Sequence, residues 1–367
     1  LGAGGSARPL PVQYADYTLW RAELLGDVGP VHASIAHQHR FWRRTLADLP
    51  GPLPLPFDRS RPAHPTGRGA TVEFEIDPAQ VAAAEAYGRS RRATLFHVVH
   101  AAFAVMLSRL SGSTDIVIGT PVSGRPSAVL DDVVGMFAET VVLRTEVNPD
   151  ATVAGFVDAV RATDTAAQDN SEIPFDVLAA EFESDPGGAH HPVFQVMLAA
   201  GDPAPSPMAV DGLTVTPVEI DLPVARFDLH LTVDLPADST AVASGTRPVR
   251  GRFTYATDLF DHETVAAFPA MLSHVLHAVT MDPGARLHDI DVVPEETSAV
   301  ALARWSAGPE PTVDRWAGTL PDILAANASR GCSATVMVVR DVADSVTLTM
   351  PEFGRRVART ARALIDR

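Results

Sequence analysis

A single cysteine, Cys332, is the only thiol in the sequence. No disulfide can form within the chain, a thiolate zinc site is excluded, and the expected compartment is the reducing cytoplasm. Basic residues are scarce. The 29 Lys and Arg against 45 Asp and Glu leave a net charge of −16. A nucleic-acid surface needs a basic face to meet phosphates, and an anionic membrane needs the same, so neither partner is expected. No apolar run reaches the roughly 18 residues of a membrane span. The N-terminal LGAGGSARPL carries no apolar signal core. HExxH, GxSxG, Walker and GxGxxG patterns do not occur, so no metal site, serine nucleophile or nucleotide loop is expected. The chain opens on Leu1 rather than methionine, as a piece of a longer product, a processed terminus or a recombinantly expressed segment would.

What is present is enough apolar material for a core. Of 367 residues, 46% are hydrophobic and 20% charged, a balance far from disorder. The Gly- and Pro-rich head, Leu1–Pro11, reads as a linker or a frayed end. An amphipathic polar stretch over Ala36–Asp48 carries Phe41 and Trp42. The proline-dense LPGPLPLPFDRSRPAHPTGRG that follows excludes helix and central strand, and reads as an extended strap.

Beyond it the periodicities become clear. Val72, Phe74 and Ile76 alternate with Thr71, Glu73 and Glu75, the pattern of a half-buried strand. Asp77-Pro78 then supplies an N-cap and a first helical residue. Thr94 caps a second helix, whose stripe from Leu95 to Leu110 stops at Gly112. Asp115–Thr120 and Thr140–Val147 are β-branched strands, and Val153–Asp169 is helical. In Phe227–Leu235, the residues Phe227, Leu229, Leu231, Val233 and Leu235 share one face, and Asp228, His230, Thr232 and Asp234 the other. Arg252–Tyr255 is a further strand. Asp261 caps a last core helix, which Pro269 is expected to kink. Alternating strands and helices with long connections predict an α/β sandwich.

Six short patterns carry more: YADYTLW at Tyr14–Trp20, DIVIGTPVSGR at Asp115–Arg125, GMFAETVVLR at Gly135–Arg144, IPFDVL at Ile173–Leu178, HPVFQVM at His191–Met197 and YATDLFD at Tyr255–Asp261. In this order they resemble the second half of a condensation domain from a nonribosomal peptide synthetase, over roughly Arg8–Val293. The resemblance implies an α/β sandwich of the CoA-dependent, chloramphenicol acetyltransferase-like kind, here its C-terminal lobe and therefore incomplete. It also implies that two carrier-bound acyl groups are joined as an amide in a tunnel entered by phosphopantetheine arms. The family's HHxxxDG motif, which bears the working histidine, is not among the 367 residues, so no catalytic residue is expected in this chain and the isolated polypeptide is expected to be inactive. TLPDIL at Thr319–Leu324 and LTMPEF at Leu348–Phe353 resemble the opening of an adenylation domain. The implied organisation is a condensation part over 1–297, a linker over 298–318 and the start of an adenylation domain over 319–367.

Several departures and candidates follow. Glu139 stands where the family's GMFVNT pattern has a neutral amide, Asn170 fits the His or Asn expected before IPFD, and Asp185–Ala189 replaces an Arg-rich stretch. Gly119, Arg125, Glu139, Asp228 and His230 are the substrate-channel candidates. Arg89, Arg91 and Arg92 form a basic cluster at a helix start that reads either as a solvated turn or as a dock for an acidic carrier protein. His190-His191 is followed by Pro-Val-Phe-Gln-Val, without the Asp-Gly of the motif, and reads as a polar loop before a strand. His97 and His100 take helix-surface positions. No cofactor is expected on the chain itself; phosphopantetheine arrives on peptidyl carrier proteins, which with the rest of a synthetase module are the expected partners. Two alternatives remain open: a non-catalytic scaffold that binds carriers, and a stand-alone CoA-dependent acyltransferase using His190 or His230.

Overall fold

The structure is a computed structural model and describes residues 10–25, 35–182, 189–201, 208–210, 213–216, 218, 220, 222–235, 249–294, 298, 299, 302, 306, 322, 335–340 and 345–365. The chain divides into two compact units, Leu1–Glu295 and Glu296–Arg367. Cys332, Asp185–Gly188, and most of Thr319–Leu324 and of the expected linker lie outside the described residues.

In the first unit, α1 (Tyr14–Leu25) and α2 (Ala36–Thr45) precede the strap. Ahead of its last residue, Gly69, where β1 begins, the strap contains no helix or strand, as its prolines require. Then come β1 (Gly69–Ile76), α3 (Pro78–Ser90), α4 (Leu95–Ser111), β2 (Asp115–Val122), β3 (Glu139–Glu146), α5 (Val153–Asp169), α6 (Phe175–Phe182) and β4 (Val196–Gly201). A hairpin of β5 (Met208–Val210) and β6 (Leu213–Val215) is followed by β7 (Leu229–Asp234), β8 (Val249–Ala256), α7 (His262–Ala266) and α8 (Phe268–Met281). Six strands form one mixed sheet in the order β1-β8-β7-β4-β2-β3. β4 runs parallel to β7 and β2; the other pairings are antiparallel.

Local chemistry sets the helix boundaries. The Asp77 side chain accepts from the Ala79 amide at 2.7 Å ahead of Pro78. Thr94 and His97 form a reciprocal capping box at the start of α4. From Val98 to Leu107 every residue of α4 is buried, so this helix is the centre of the helical layer. It packs against α3, α5 and α8 and lies on β2, while α5 lies on β3. By length and composition alone, His262–Met281 is apolar enough to cross a membrane. Here Phe268, Leu272, Val275, Leu276 and Val279 place its apolar stripe in the core. The kink expected at Pro269 appears as a break at Ala267, with Pro269 in the first turn of α8, where a missing donor costs least. Asp261 precedes α7 without a side-chain cap and instead pairs with Arg59 of the strap.

His100 corrects the sequence reading. It is not on the helix surface but fully buried, and Nδ1 donates to both carboxylate oxygens of Asp164 on α5 at 2.9 Å. The pair pins α4 to α5. A buried carboxylate needs such a partner, because an unpaired charge in the core would cost several kcal/mol.

The second unit, described by itself, contains an antiparallel hairpin of β9 (Thr335–Arg340) and β10 (Ser345–Thr349), and α9 (Met350–Ile365). Glu352 in the first turn of α9 accepts from the Thr349 amide at 2.9 Å and its hydroxyl at 2.8 Å, closing the strand-to-helix turn.

Candidate functional site

The helices cover one face of the six-stranded sheet. The alternation in β7 turns Leu229, Leu231 and Val233 into that core and leaves His230, Thr232 and Asp234 half-buried on the other face. Register carries the same division across the sheet: His230 lies beside Thr254 of β8 and Met197 of β4, and Glu73 beside Arg252. This second face forms the floor of a groove of about 870 Å³. Met136, Ala138, Glu139 and Thr140 form one side; Ile220, Leu222 and Val224 form an exposed apolar rim on the other.

Among the described residues, His230 is the one imidazole lining this groove. Its Nε2 lies 3.3 Å from Thr232 Oγ1, and its ring meets Phe227 edge-on at 6.1 Å. Burial first, and the Arg252 guanidinium second, push its pKa down to about 4. Near neutral pH it is therefore an uncharged imidazole. A base several units below the operating pH transfers protons poorly, which suits His230 to lining and hydrogen bonding rather than to general-base work.

The other sequence candidates occupy different places. Glu139 borders the groove and pairs with Arg21 of α1; both side chains are 16% exposed. Gly119 lies beneath an aromatic cluster. A Cβ there would sit 2.2 Å from the Phe194 ring, which is itself hemmed in by His191 at 4.4 Å, Phe175 at 5.3 Å and Phe227 at 5.5 Å. His191 thus belongs to a packed aromatic group, stacked on Phe175 at 19°, and its pKa is lowered mainly by burial. His190 lies outside the groove, on a separate cavity beside Pro50–Pro52.

Asp228 is buried and held bidentately by Arg61 of the strap, with Nη1 to Oδ1 at 2.8 Å and Nη2 to Oδ2. Arg61 also donates to the Ala189 carbonyl at 3.2 Å and lies over the Phe57 ring. The strap is in this way fastened to the entry of β7.

Arg125 sits with its guanidinium 4.0 Å from the Phe137 ring centroid and donates to the carbonyls of Leu130 and Val133. It closes the 126–138 loop onto Phe137, which in turn packs on Tyr14 and Tyr17 of α1. The basic trio spans the turn between α3 and α4. Arg89 pairs with Glu85 and Arg91 with Asp158, and no ion pair involves Arg92 among the described residues.

Sequence reasoning missed Arg21 and Arg61. The available signal was indirect: carboxylates at Glu139 and Asp228 border buried strands and so require cations. No group of three or more potential metal ligands occurs among the described residues.

The condensation-domain family model matches residues 1–301. The chain is 34% identical over 359 residues to a dimodular nonribosomal peptide synthase of Bacillus subtilis, covering 98% of this chain and 15% of that protein. It is 35% identical over 327 residues to an isonitrile lipopeptide synthase of Mycobacterium tuberculosis, covering 88% of this chain and 13% of that one. The chain thus spans less than a sixth of the length of these relatives. Among solved structures, the X-domain from teicoplanin biosynthesis superposes with a TM-score of 0.68 at 32% identity, over 78% of this chain and 63% of that one. The first condensation domain of the calcium-dependent antibiotic synthetase, in complex with a substrate analogue, shares the fold at a TM-score of 0.59 and 18% identity, over 76% and 58%. The expected acyltransferase-like α/β architecture is therefore the one observed. With the family model on most of its length and relatives agreeing in sequence and fold, this chain belongs to the condensation-domain family of nonribosomal peptide synthetases.

Proposed function

We propose that the chain is the C-terminal part of a condensation domain and that its open sheet face is one wall of the channel where two carrier-bound substrates meet. The upstream acyl thioester is attacked by the amine of the downstream aminoacyl thioester. A C–N bond forms, the C–S bond breaks, and the donor carrier's phosphopantetheine leaves as the thiol. One observation carries this reading. Three segments separated in sequence and singled out by the resemblance line a single groove, Pro121 from IGTPVSGR, Met136 and Ala138–Thr140 from GMFAET, and Met197 from HPVFQVM, and Phe227 and His230 of the alternating Phe227–Leu235 stretch join them.

His230, with its pKa near 4, is not the group that deprotonates the amine; in this reading that histidine belongs to an HHxxxDG-bearing segment outside these 367 residues. Glu139 and His230 shape the groove, Gly119 and Asp228 support it through Phe194 and Arg61, and Arg125 holds the loop that carries Met136. Arg89, Arg91 and Arg92 form the carrier dock, with Arg92 the guanidinium best placed to meet a partner's acidic surface. Residues 319–367 are the opening of an adenylation domain, consistent with the LTMPEF strand-to-helix turn closed by Glu352. The carriers bring phosphopantetheine with them, and the remainder of a synthetase module completes the assembly.

The test is reconstitution with one acyl-loaded and one aminoacyl-loaded carrier protein, with product mass as the readout. The polypeptide encoded by the whole reading frame should form the amide, and the 367-residue chain alone should not. Amide formed by the short chain overturns the assignment of the base to another segment. No amide from the long one overturns the condensation reading.

A further inference from the structure

A second cavity, of about 160 Å³, lies beside the groove between α1, the Val122–Pro126 turn and the end of α5. Tyr17, Trp20 and Leu24 give it an apolar wall. At its inner side Arg21 is held by Glu139 and donates from Nη1 to the Tyr17 hydroxyl oxygen at 2.9 Å. The other terminal nitrogen, Nη2, is buried and has no hydrogen-bond partner among the described residues. A buried guanidinium nitrogen left without an acceptor costs of order 1–3 kcal/mol, more for a charged group, unless something fills the position. Arg125 does not compete for an acceptor here, because its guanidinium is already committed to Phe137 and two carbonyls.

The surrounding charges narrow the chemistry of the missing group. Glu139 already neutralises Arg21, and Glu172, also on the wall, accepts from Gln38 at 2.8 Å. A carboxylate or phosphate entering would face two carboxylates. A neutral carbonyl would not, and an N–H beside it would find acceptors in Glu139 or Glu172. A cavity of about 150 Å³ is known to hold a benzene ring, so the space here admits a compact group of that size. We propose that this cavity is a binding subsite for a small neutral carboxamide, with its carbonyl oxygen accepting from Arg21 Nη2 and its N–H donating to a wall carboxylate. Glu139, which borders both spaces and is paired with Arg21 on the subsite side, forms the partition between this subsite and the groove. The proposal does not rest on amide synthesis in the groove, and binding is measured without carriers or turnover.

Benzamide is the probe, titrated into the full 367-residue chain while the arginine side-chain N–H signals are followed by NMR. Saturable shifts at Arg21 are expected. Ethylbenzene, which fills similar space without an acceptor, should bind at least tenfold more weakly. Arg21→Met should weaken benzamide at least tenfold. Should that variant fail to fold, Arg21→Lys keeps a cation beside Glu139 but places its single nitrogen there and none at the Nη2 position, and must show the same loss. N-methylbenzamide separates primary from secondary amides as the preferred form. The proposal is overturned if benzamide produces no saturable shift at Arg21, if ethylbenzene binds equally well, or if Arg21→Lys binds benzamide like the wild type.

Discussion

The low pKa of His230 has a direct thermodynamic consequence. In the unfolded chain a histidine titrates near 6.5; in the groove burial, aided by Arg252, holds His230 near 4. Between these values the unfolded state binds a proton that the folded state does not. Stability is therefore complete above about pH 6.5 and falls as the pH drops toward 4. The full gap corresponds to roughly 3 kcal/mol. His230 keeps some contact with the open groove, and solvent takes a share, so about 2 kcal/mol is the working expectation. Urea unfolding at a series of pH values from 4.5 to 7.5, on the wild type and on His230→Asn, measures it. His97 and His191 are also held low, chiefly by burial, but both proteins contain them and their effects cancel in the difference. Relative to the variant, the wild type should lose about 2 kcal/mol across this range. Equal pH slopes in the two proteins, or an NMR titration of His230 centred near 6.5, would refute the burial argument and with it the exclusion of His230 as a general base.

Two further perturbations probe how the groove is built. Arg61→Ala leaves the buried Asp228 carboxylate without its bidentate partner and should cost about 3–5 kcal/mol in urea unfolding; Arg61→Lys restores the charge but not the fork and should recover only part, and full recovery by lysine would show that geometry is irrelevant there. Gly119→Ala drives a methyl into a Phe194 ring that three other rings prevent from moving, for a cost of about 1–3 kcal/mol; combining it with Phe194→Leu should return much of that loss, and a fully additive pair would mean the two residues do not meet.

The elements readable from sequence are those fixed by neighbours in the chain. Asp77-Pro78 and the Thr94 cap mark α3 and α4 because capping bonds reach only two or three residues ahead. β7 is readable because one of its faces is core and the other is groove. β4 offers no alternation: Val196, Met197, Leu198 and Ala199 are all buried, as happens to a strand enclosed by parallel neighbours. The groove itself was legible only as a set of motif segments. Their convergence depends on the strand order, which no local pattern records.

The least legible features share one cause. His100 with Asp164, Arg61 with Asp228, and Arg21 with Glu139 each join residues far apart in sequence. In each, a carboxylate is taken largely out of water and must be matched by a cation or a donor. Periodicity places Asp164 on a helix and Asp228 at a strand entry, and so forecasts that a partner exists without naming it. His100 looked like a surface residue because α4 was expected to have a polar side, whereas α3, α5 and α8 enclose it. Glu139 is the informative case. A carboxylate in place of the family's neutral amide looks unfavourable in a channel wall until Arg21 is seen beside it. The carboxylate is then matched by a cation, with the charge neutralised and one arginine nitrogen left over. That remaining donor makes the cavity behind the groove a site with a definite hydrogen-bonding demand, because no other group among the described residues offsets its burial.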